Sequence, residues 1–424
     1  MSIFDICVIT ASNRTQADGF KALLAKRLDH GLYPREVDFR VYPDPPGGRI
    51  GSGGSTMWAL LCLLADYKTS DAREFFESHN VLIIHAGGES RRLPCYAPEG
   101  KLFAPLPVST SSILPPVTLD MQLSLFFKFP WSKGETLITS GDVILDFDTD
   151  VLPEDRGDVC GFANADSFAE GAKHGVYRFD SRQETVVDFY QKEDEAFLAE
   201  EARLEGTGQC ALDIGIVSLS PAALASLLAL SDCALEIGGT VSARLSKGDF
   251  YFDIYLELIT ACLPALSARD YSRRLHGRSK LAQRDLAIFF NALHPFTLKG
   301  ILTHSSTFLH FGSLEEFPKA CLEIQDKGIE PFYAQKYAEL QQQCSPELIL
   351  YNSSDFSVPV RESTSVFAEN IQECSLLNAE GNNIFVGLQS WNSSLTIPDG
   401  ICIEERRLDE EAFWVVYGKH FRRY

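Results

Sequence analysis

The segment Val81–Pro107, VLIIHAGGESRRLPCYAPEGKLFAPLP, has the residue types and spacing to hold a polyanion. Four apolar residues run into Gly87 and Gly88, then Ser90, Arg91, Arg92 and Pro94, and Lys101 follows. A short apolar run that ends in glycines predicts a buried strand breaking into a tight loop. Glycines without a Cβ let main-chain N–H groups approach an anion closely, and the arginines and lysine add charge where those donors point. Arg92 offers a planar fork for two phosphate oxygens, whereas Lys101 offers a compact point charge. Only one of the adjacent arginines need face the site, and Arg92 is the stronger candidate. The order differs from Gly-x-x-x-x-Gly-Lys-Ser/Thr, so this is not the standard NTPase phosphate loop. The chemistry it suggests is that of a nucleotide polyphosphate.

Two further groups fit that chemistry. GGRIGSGGST at 47–56 is read as a glycine-rich turn in which Gly51, Gly53 and Gly54 permit close backbone approach to a base or to phosphates. Asp142 follows a predicted strand and a glycine in ETLITSGDVIL, where its carboxylate would be a hard oxygen ligand for Mg²⁺. A Gly-Asp pair is also a common turn or cap. Asp253, in the alternating context YFDIY, is the matching candidate for a second carboxylate.

The elements that must position these groups alternate between strand and helix. FDICVIT at 4–10 predicts a strand and Gln16–Leu28 a helix; MWALLCLLADY predicts a helix after the second glycine turn. The run at 81–84 and the segment ETLITSGDVIL predict strands, with a helix near 117–128 between them. This alternation predicts a mostly parallel sheet of the doubly wound kind, with ligands beyond the carboxyl ends of its strands. From 160 to 260 GVYRF, TVVDFYQK and LDIGIVSLS read as strands, and PAALASLLAL and DIYLELITACL as helices. The basic stretch at 267–285 reads as a surface loop or a connecting helix. ILTHSSTFLHFG then predicts two short strands and SLEEFPKACLEI one helix. Residues 346–404 break into short apolar pieces separated by Asn, Ser, Gly and Asp, the pattern of a β-helix-like unit or a small sandwich.

A chain of 424 residues exceeds what one core usually holds, which predicts more than one domain. The net charge of −20 opposes binding to nucleic acid or to an anionic membrane. Eleven scattered cysteines predict reduced, mostly buried thiols, and the first residues carry no basic leader or long apolar region. No run is long enough to span a bilayer. These features predict a soluble cytoplasmic protein.

Read together, Gly87, Gly88, Ser90, Arg92, Pro94 and Lys101 resemble the signature of sugar-1-phosphate nucleotidylyltransferases, with Ser90 where a third glycine usually stands. Adding ITASN at 9–13, GGRIGSGGST at 47–56, GKLFAPLP at 100–107, HGVYRFD at 174–180, VVDFYQK at 186–192 and FDIYLEL at 252–258 makes the chain similar to the fucose-1-phosphate guanylyltransferase family. The resemblance implies transfer of GMP from GTP to L-fucose 1-phosphate, with Mg²⁺, releasing pyrophosphate and giving GDP-L-fucose. The expected architecture is α/β: a Rossmann-like (GT-A-like) nucleotidyltransferase domain with a mostly parallel mixed sheet over 1–295, then a C-terminal β-helix-like domain over 296–424. Lys192, after VVDFYQ, resembles the family's phosphate-binding lysine. Gly175 is a candidate to present a backbone amide to the sugar, His174 to orient a hydroxyl, and Asp213 in LDIG to accept from sugar hydroxyls.

Other readings stay open. No residue pattern reads the base, so another sugar-1-phosphate nucleotidylyltransferase fits the same motifs. A catalytically silent nucleotide-sugar sensor would not need Arg92, Lys101 and Asp142 together, and a purely structural protein leaves the charged loop unexplained. Some bacterial relatives fuse this module to a fucokinase; no glycine- and serine-rich kinase loop follows residue 330, so kinase activity is not expected.

Overall fold

Ile6–Ala11 (β1), Asp38–Pro43 (β2), Val81–His85 (β3) and Thr136–Ser140 (β4) open the sheet. β1 is buried throughout, and β3 and β4 are buried except at their last residues, the continuous burial of strands covered on both faces. A computed structural model describes residues 3–88, 92–97, 100–108, 114–180, 185–303, 306–331, 342–344, 348–351, 366–369, 371–372, 374, 378–389, 395–408 and 411–418. β1 pairs in parallel with β2 on one side and β3 on the other, and β3 pairs in parallel with β4. The chain leaves β1 through Arg14–Asp29 (α1) and reaches β3 after Gly51–Asp66 (α2). Phe20 and Leu24 of α1 pack with Cys7, Ile9, Leu82 and Ile84, whereas Met57, Leu60 and Leu63 of α2 pack with Val8 and Ile83. Alternate residues of the same strands thus feed two cores on opposite faces. The gap between the carboxyl ends of β1 and β3 is the switch point where open α/β sheets hold ligands.

The strands Val143–Asp146 (β5), Val159–Asp166 (β6), Gly175–Phe179 (β7), Val186–Gln191 (β8), Cys210–Leu219 (β9), Leu298–Thr303 (β10) and Thr307–His310 (β11) follow. β9 runs antiparallel to β4 and β6, and β10 runs parallel to β6, giving the order β10-β6-β9-β4-β3-β1-β2. The β7–β8 hairpin joins through β9. The expected α/β class with a mixed, mostly parallel sheet is what these strands form. β10 lies beyond residue 295 yet is an edge strand of this same sheet, and β11 pairs with β5. A separate sheet follows, in which Leu348–Tyr351, Val366–Glu369, Asn383–Val386 and Ile401–Leu408 lie side by side in parallel.

One local reading changes, and one open alternative resolves to helix. The glycine-rich stretch read as a turn is helical from Gly51 onward. Gly51 has φ +78, and a Cβ there would lie 2.3 Å from the carbonyl oxygen of Phe252; one on Gly53 would lie 2.3 Å from the Phe252 ring. The glycines let α2 start directly against Tyr251–Asp253. The basic stretch is largely helical, with a helix over Ala268–Leu275 and another starting at Gln283. Among the described residues ten cysteines are free, and no helix is long and apolar enough to cross a membrane.

Two helix glycines should answer oppositely to alanine. Gly53→Ala must displace the Phe252 ring and is expected to lose about 1–3 kcal/mol. Gly19→Ala meets nothing within 4 Å and is expected to gain up to about 1 kcal/mol through helix propensity. Urea unfolding of the two variants checks the contrast, and an unchanged midpoint for Gly53→Ala contradicts it.

Candidate active site

β3 and β4 end in register, His85 opposite Ser140, and the chain leaves the sheet at both points. The Gly141 N–H donates to the His85 carbonyl at 2.8 Å, and a Cβ on Gly141 would come within 2.9 Å of that oxygen. This close crossing turns Asp142 outward from the strand end. A cavity of about 230 Å³ opens here, with His85, Gly88, Lys101, Ser140, Gly141 and Asp142 in its wall. Gly87 sits where its loop crosses the end of β1, with Ala11 and Ser12 backbone atoms 3.3 Å from the place of a Cβ. Gln16, in the first turn of α1, accepts from the Ser12 N–H at 2.7 Å and donates to the Gly88 carbonyl at 3.3 Å. The anion-cradle glycines are therefore held at the switch point of the sheet.

The charges of this cleft are arranged in a line. Lys101 Nζ donates to Asp142 Oδ2 at 2.9 Å, and Ser140 Oγ donates to Oδ1 at 2.6 Å. His310, the last residue of β11, places Nε2 3.5 Å from Asp142 Oδ2 and Nδ1 3.3 Å from Glu316 Oε2. Burial alone would raise the Asp142 carboxyl, but His310, Lys101 and Ser140 outweigh it and hold the group well below the usual carboxylate range. Burial likewise opposes a charged His310, yet the Asp142 and Glu316 carboxylates raise it to about 9. Glu316 falls to about 2, burial being overcome by His310, Ser313 and the field of Arg92. His85 behaves differently: its ring nitrogens lie 3.3 Å from Thr10 Oγ1 and 2.9 Å from Thr56 Oγ1, and burial pushes it down to about 4. It is a neutral ring in the cavity wall.

A second group lies across His310. The His174 and His310 rings are 6.1 Å apart and nearly perpendicular, and burial together with His310 pushes His174 down. The His174 carbonyl accepts from the Lys192 N–H at 3.0 Å. Lys192 is exposed and has φ +58, a conformation that non-glycine residues rarely take and that recurs at binding sites. A Cβ on Gly175 would lie 2.6 Å from the Phe189 ring and 3.3 Å from Asp213 Cβ, so the glycine makes room for that ring beside Asp213. Asp213 is buried and accepts from the Tyr177 hydroxyl at 3.1 Å. Burial raises it to about 7, against the opposing hydrogen bonds of Gly215, Tyr177 and Tyr255.

Asp253 completes a circuit. It caps a single π-helical turn over Ile254–Ile259, with Oδ1 accepting from the N–H groups of Tyr255 and Leu256 at 2.9 Å. Oδ2 accepts from Ser52 Oγ at 3.0 Å, at the start of α2. Tyr255 bonds Asp213, and Thr56 of α2 reaches His85, so the Asp253 group is linked to both other groups. Gly88, Lys101 and Asp142 thus share one cavity, while His174, Gly175, Lys192 and Asp213 form a neighbouring cluster. Arg92 is exposed and lies outside the cavity wall, its carbonyl accepting from the Leu314 N–H at 2.9 Å. Ser90 and Arg91 lie outside the described residues.

Residues 73–419 match the family model for the fucose pyrophosphorylase domain. The chain belongs to this fucose pyrophosphorylase family. It is 25% identical over 89% of its length to the L-fucokinase/L-fucose-1-P guanylyltransferase of Bacteroides fragilis, of which it covers 37%. It is 27% identical over 74% of its length to the fucose-1-phosphate guanylyltransferase of Mus musculus, covering 56% of that protein. The Homo sapiens protein of the same name is 33% identical over 42% of this chain, which covers 28% of it. The chain therefore spans 37% of the length of the first of these relatives and 56% of the second.

Within this fucose pyrophosphorylase domain, four residues of the site escaped the sequence reading: His85, Ser140, His310 and Glu316. His85 precedes the glycines and Ser140 precedes Gly141, so position alone could have flagged them. His310 and Glu316 carry no motif. Among the described residues no group of three or more His, Cys, Asp or Glu side chains is gathered to hold a metal. Mg²⁺ keeps several waters and takes one or two carboxylates together with substrate phosphates, so the ionised Asp142 at the cavity wall fits that demand. Asp253 is a second carboxylate, with its oxygens already engaged by Ser52 and the π-helical turn.

His310 should titrate near pH 9 in the folded chain. Its folded value exceeds the ordinary 6.5, so its contribution to stability is complete below pH 6.5 and is lost as pH rises through 9. Denaturant unfolding at pH 6 and pH 10 should show this loss, and His310→Asn should flatten it. An equal pH slope in the variant contradicts the assignment.

Proposed function

We propose that this chain is a fucose-1-phosphate guanylyltransferase, forming GDP-L-fucose and pyrophosphate from GTP and L-fucose 1-phosphate. The observation that carries the reading is the meeting of Gly88, Lys101 and Asp142 in one cavity at the switch point of a sheet belonging to this family. An oxygen of the sugar phosphate attacks the α-phosphorus of GTP in line, and the bond to the pyrophosphate oxygen breaks. Two polyanions meet in that step, so screening and alignment are the main tasks of the protein.

In this reading Gly87 and Gly88 present backbone donors to the triphosphate, and Gly51, Gly53, Gly54, Ser90 and Arg91 belong to the nucleotide side of the site. Lys101 neutralises charge near the α-phosphate, and Arg92 grips the triphosphate. Lys192 takes the sugar phosphate, with the Gly175 amide, His174 and Asp213 toward the sugar. Asp142 and Asp253 would hold Mg²⁺, which would neutralise charge developing on the phosphates.

We read the catalytic unit, expected over 1–295, as a Rossmann-like, GT-A-like domain whose sheet also takes in β10 as an edge strand. The tail is read as a β-helix-like domain, because its strands pair in successive parallel steps, Leu348 to Val366 to Asn383 and Ile384 to Cys402. Nothing in the acidic surface favours nucleic acid or membrane partners, and a soluble cytoplasmic setting suits the free thiols.

The test is pyrophosphate release across GTP, ATP, UTP and CTP with fucose 1-phosphate and mannose 1-phosphate. Release is expected with GTP and fucose 1-phosphate. Release only with another nucleotide, or with no pair, overturns the reading. Lys101→Met and Arg92→Ala are each expected to lose about 100-fold in kcat while remaining folded.

A further inference from the structure

The segment after the central sheet enters the cleft at three points. The Phe311 N–H donates to the Asp142 carbonyl at 2.8 Å, the Leu314 N–H donates to the Arg92 carbonyl at 2.9 Å, and the His310 ring stands between the Asp142 and Glu316 carboxylates. His310 is at the end of β11, whose pairing with β5 is fixed by the register His310 to Val143. Phe311 and Phe317 pack on Leu93, Cys95 and Tyr96, the residues that follow the Arg92 loop. The imidazole is therefore rigidly delivered, and each of its nitrogens has one carboxylate partner. Asp142 Oδ2 is shared by Lys101 and His310, so the carboxylate is gripped from two sides by side chains that come from distant parts of the chain.

We propose that His310 is a positioning residue for Asp142: its Nε2 holds the carboxylate in the orientation used in the cleft, while its Nδ1 is anchored by Glu316. The role rests on the guanylyltransferase reading for its kinetic consequence, but not for its geometry. A histidine that served only to tie β11 to the helix beginning at Glu316 would act through Nδ1. A histidine that positions Asp142 acts through Nε2. The two roles separate by substitution, because a glutamine amide stands near the place of Nε2 and an asparagine amide near that of Nδ1.

The experiment compares His310→Gln and His310→Asn in the full chain. Initial rates with GTP and fucose 1-phosphate should show kcat down by about 100-fold for His310→Asn, with the KM for GTP changed little, and within about 10-fold of the parent for His310→Gln. Equal losses in the two variants, or a larger loss for His310→Gln, overturn the proposal. So does a loss that appears only as a lower melting temperature with unchanged kcat per folded molecule. Crystal structures of the variants give a readout independent of turnover. Asp142 should keep its contact with Lys101 in His310→Gln and turn from it in His310→Asn. An unmoved Asp142 in His310→Asn overturns the proposal, even where the parent chain releases no pyrophosphate and the guanylyltransferase reading has failed on its own.

Discussion

The carboxylate of Asp142 is the point on which the cleft depends. It sits at the end of β4, turned outward because Gly141 crosses the His85 carbonyl too closely for any side chain. Two cationic side chains and one hydroxyl converge on its two oxygens. A half-buried carboxylate is costly to desolvate, and only several good partners offset that cost. Each partner is brought by a different element: Ser140 by β4, Lys101 by the turn after Gly100, and His310 by β11. The position of Asp142 is thus a condition on three separate stretches of chain, and a shift in any one loosens the others.

The same condition explains why the tail is packed where it is. Leu93, Cys95 and Tyr96, just past Arg92, share a core with Phe311, Phe317, Phe367, Ile384 and Cys402. The Phe317 ring lies 5.2 Å from Tyr96 and 5.0 Å from Phe367, and the Tyr96 hydroxyl donates to Glu369, 273 residues away. A loop rich in glycine and charge has little apolar surface with which to hold itself. Here the apolar residues immediately downstream dock on the C-terminal sheet, while Gly88 stays in the cavity wall and Arg92 stays exposed. Fixing such a loop from outside preserves the exposed donors that an anion needs.

Much of this was legible in sequence where local chemistry decides structure. The run Val81–Ile84 before two glycines marked the strand and its loop, and the Gly141-Asp142 pair marked the turn that follows β4. The alternation of apolar runs gave the α/β class. Reading stopped where the reason for a residue lies far along the chain. Gly51 and Gly53 looked like a loop, but their freedom is spent on contact with Phe252, and the partner hydrogen bond from Ser52 to Asp253 spans 201 residues. His310 and Glu316 were read only as parts of a strand and a helix, because an isolated histidine in a strand has no signature. The high affinity of Asp213 for its proton is set by burial, which no spacing pattern reveals.

The electrostatics of the cleft carry one further consequence. On the proposed reading, a chain of net charge −20 must attract a polyphosphate locally, against its own long-range field. Two of the cleft's cations are already paired: Lys101 and His310 both lie on Asp142. A phosphate that reaches Lys101 must therefore take the ammonium from Asp142 or share it. Whatever draws Lys101 away leaves Asp142 with one cation fewer and more open to a divalent ion. Binding of the anion and of a cation at this carboxylate are then thermodynamically linked, each favouring the other through a shared partner. On the proposed reading, that linkage makes a nucleotide carrying its own metal a better ligand than either component alone. The sharing of Asp142 by Lys101 and His310 is what produces it.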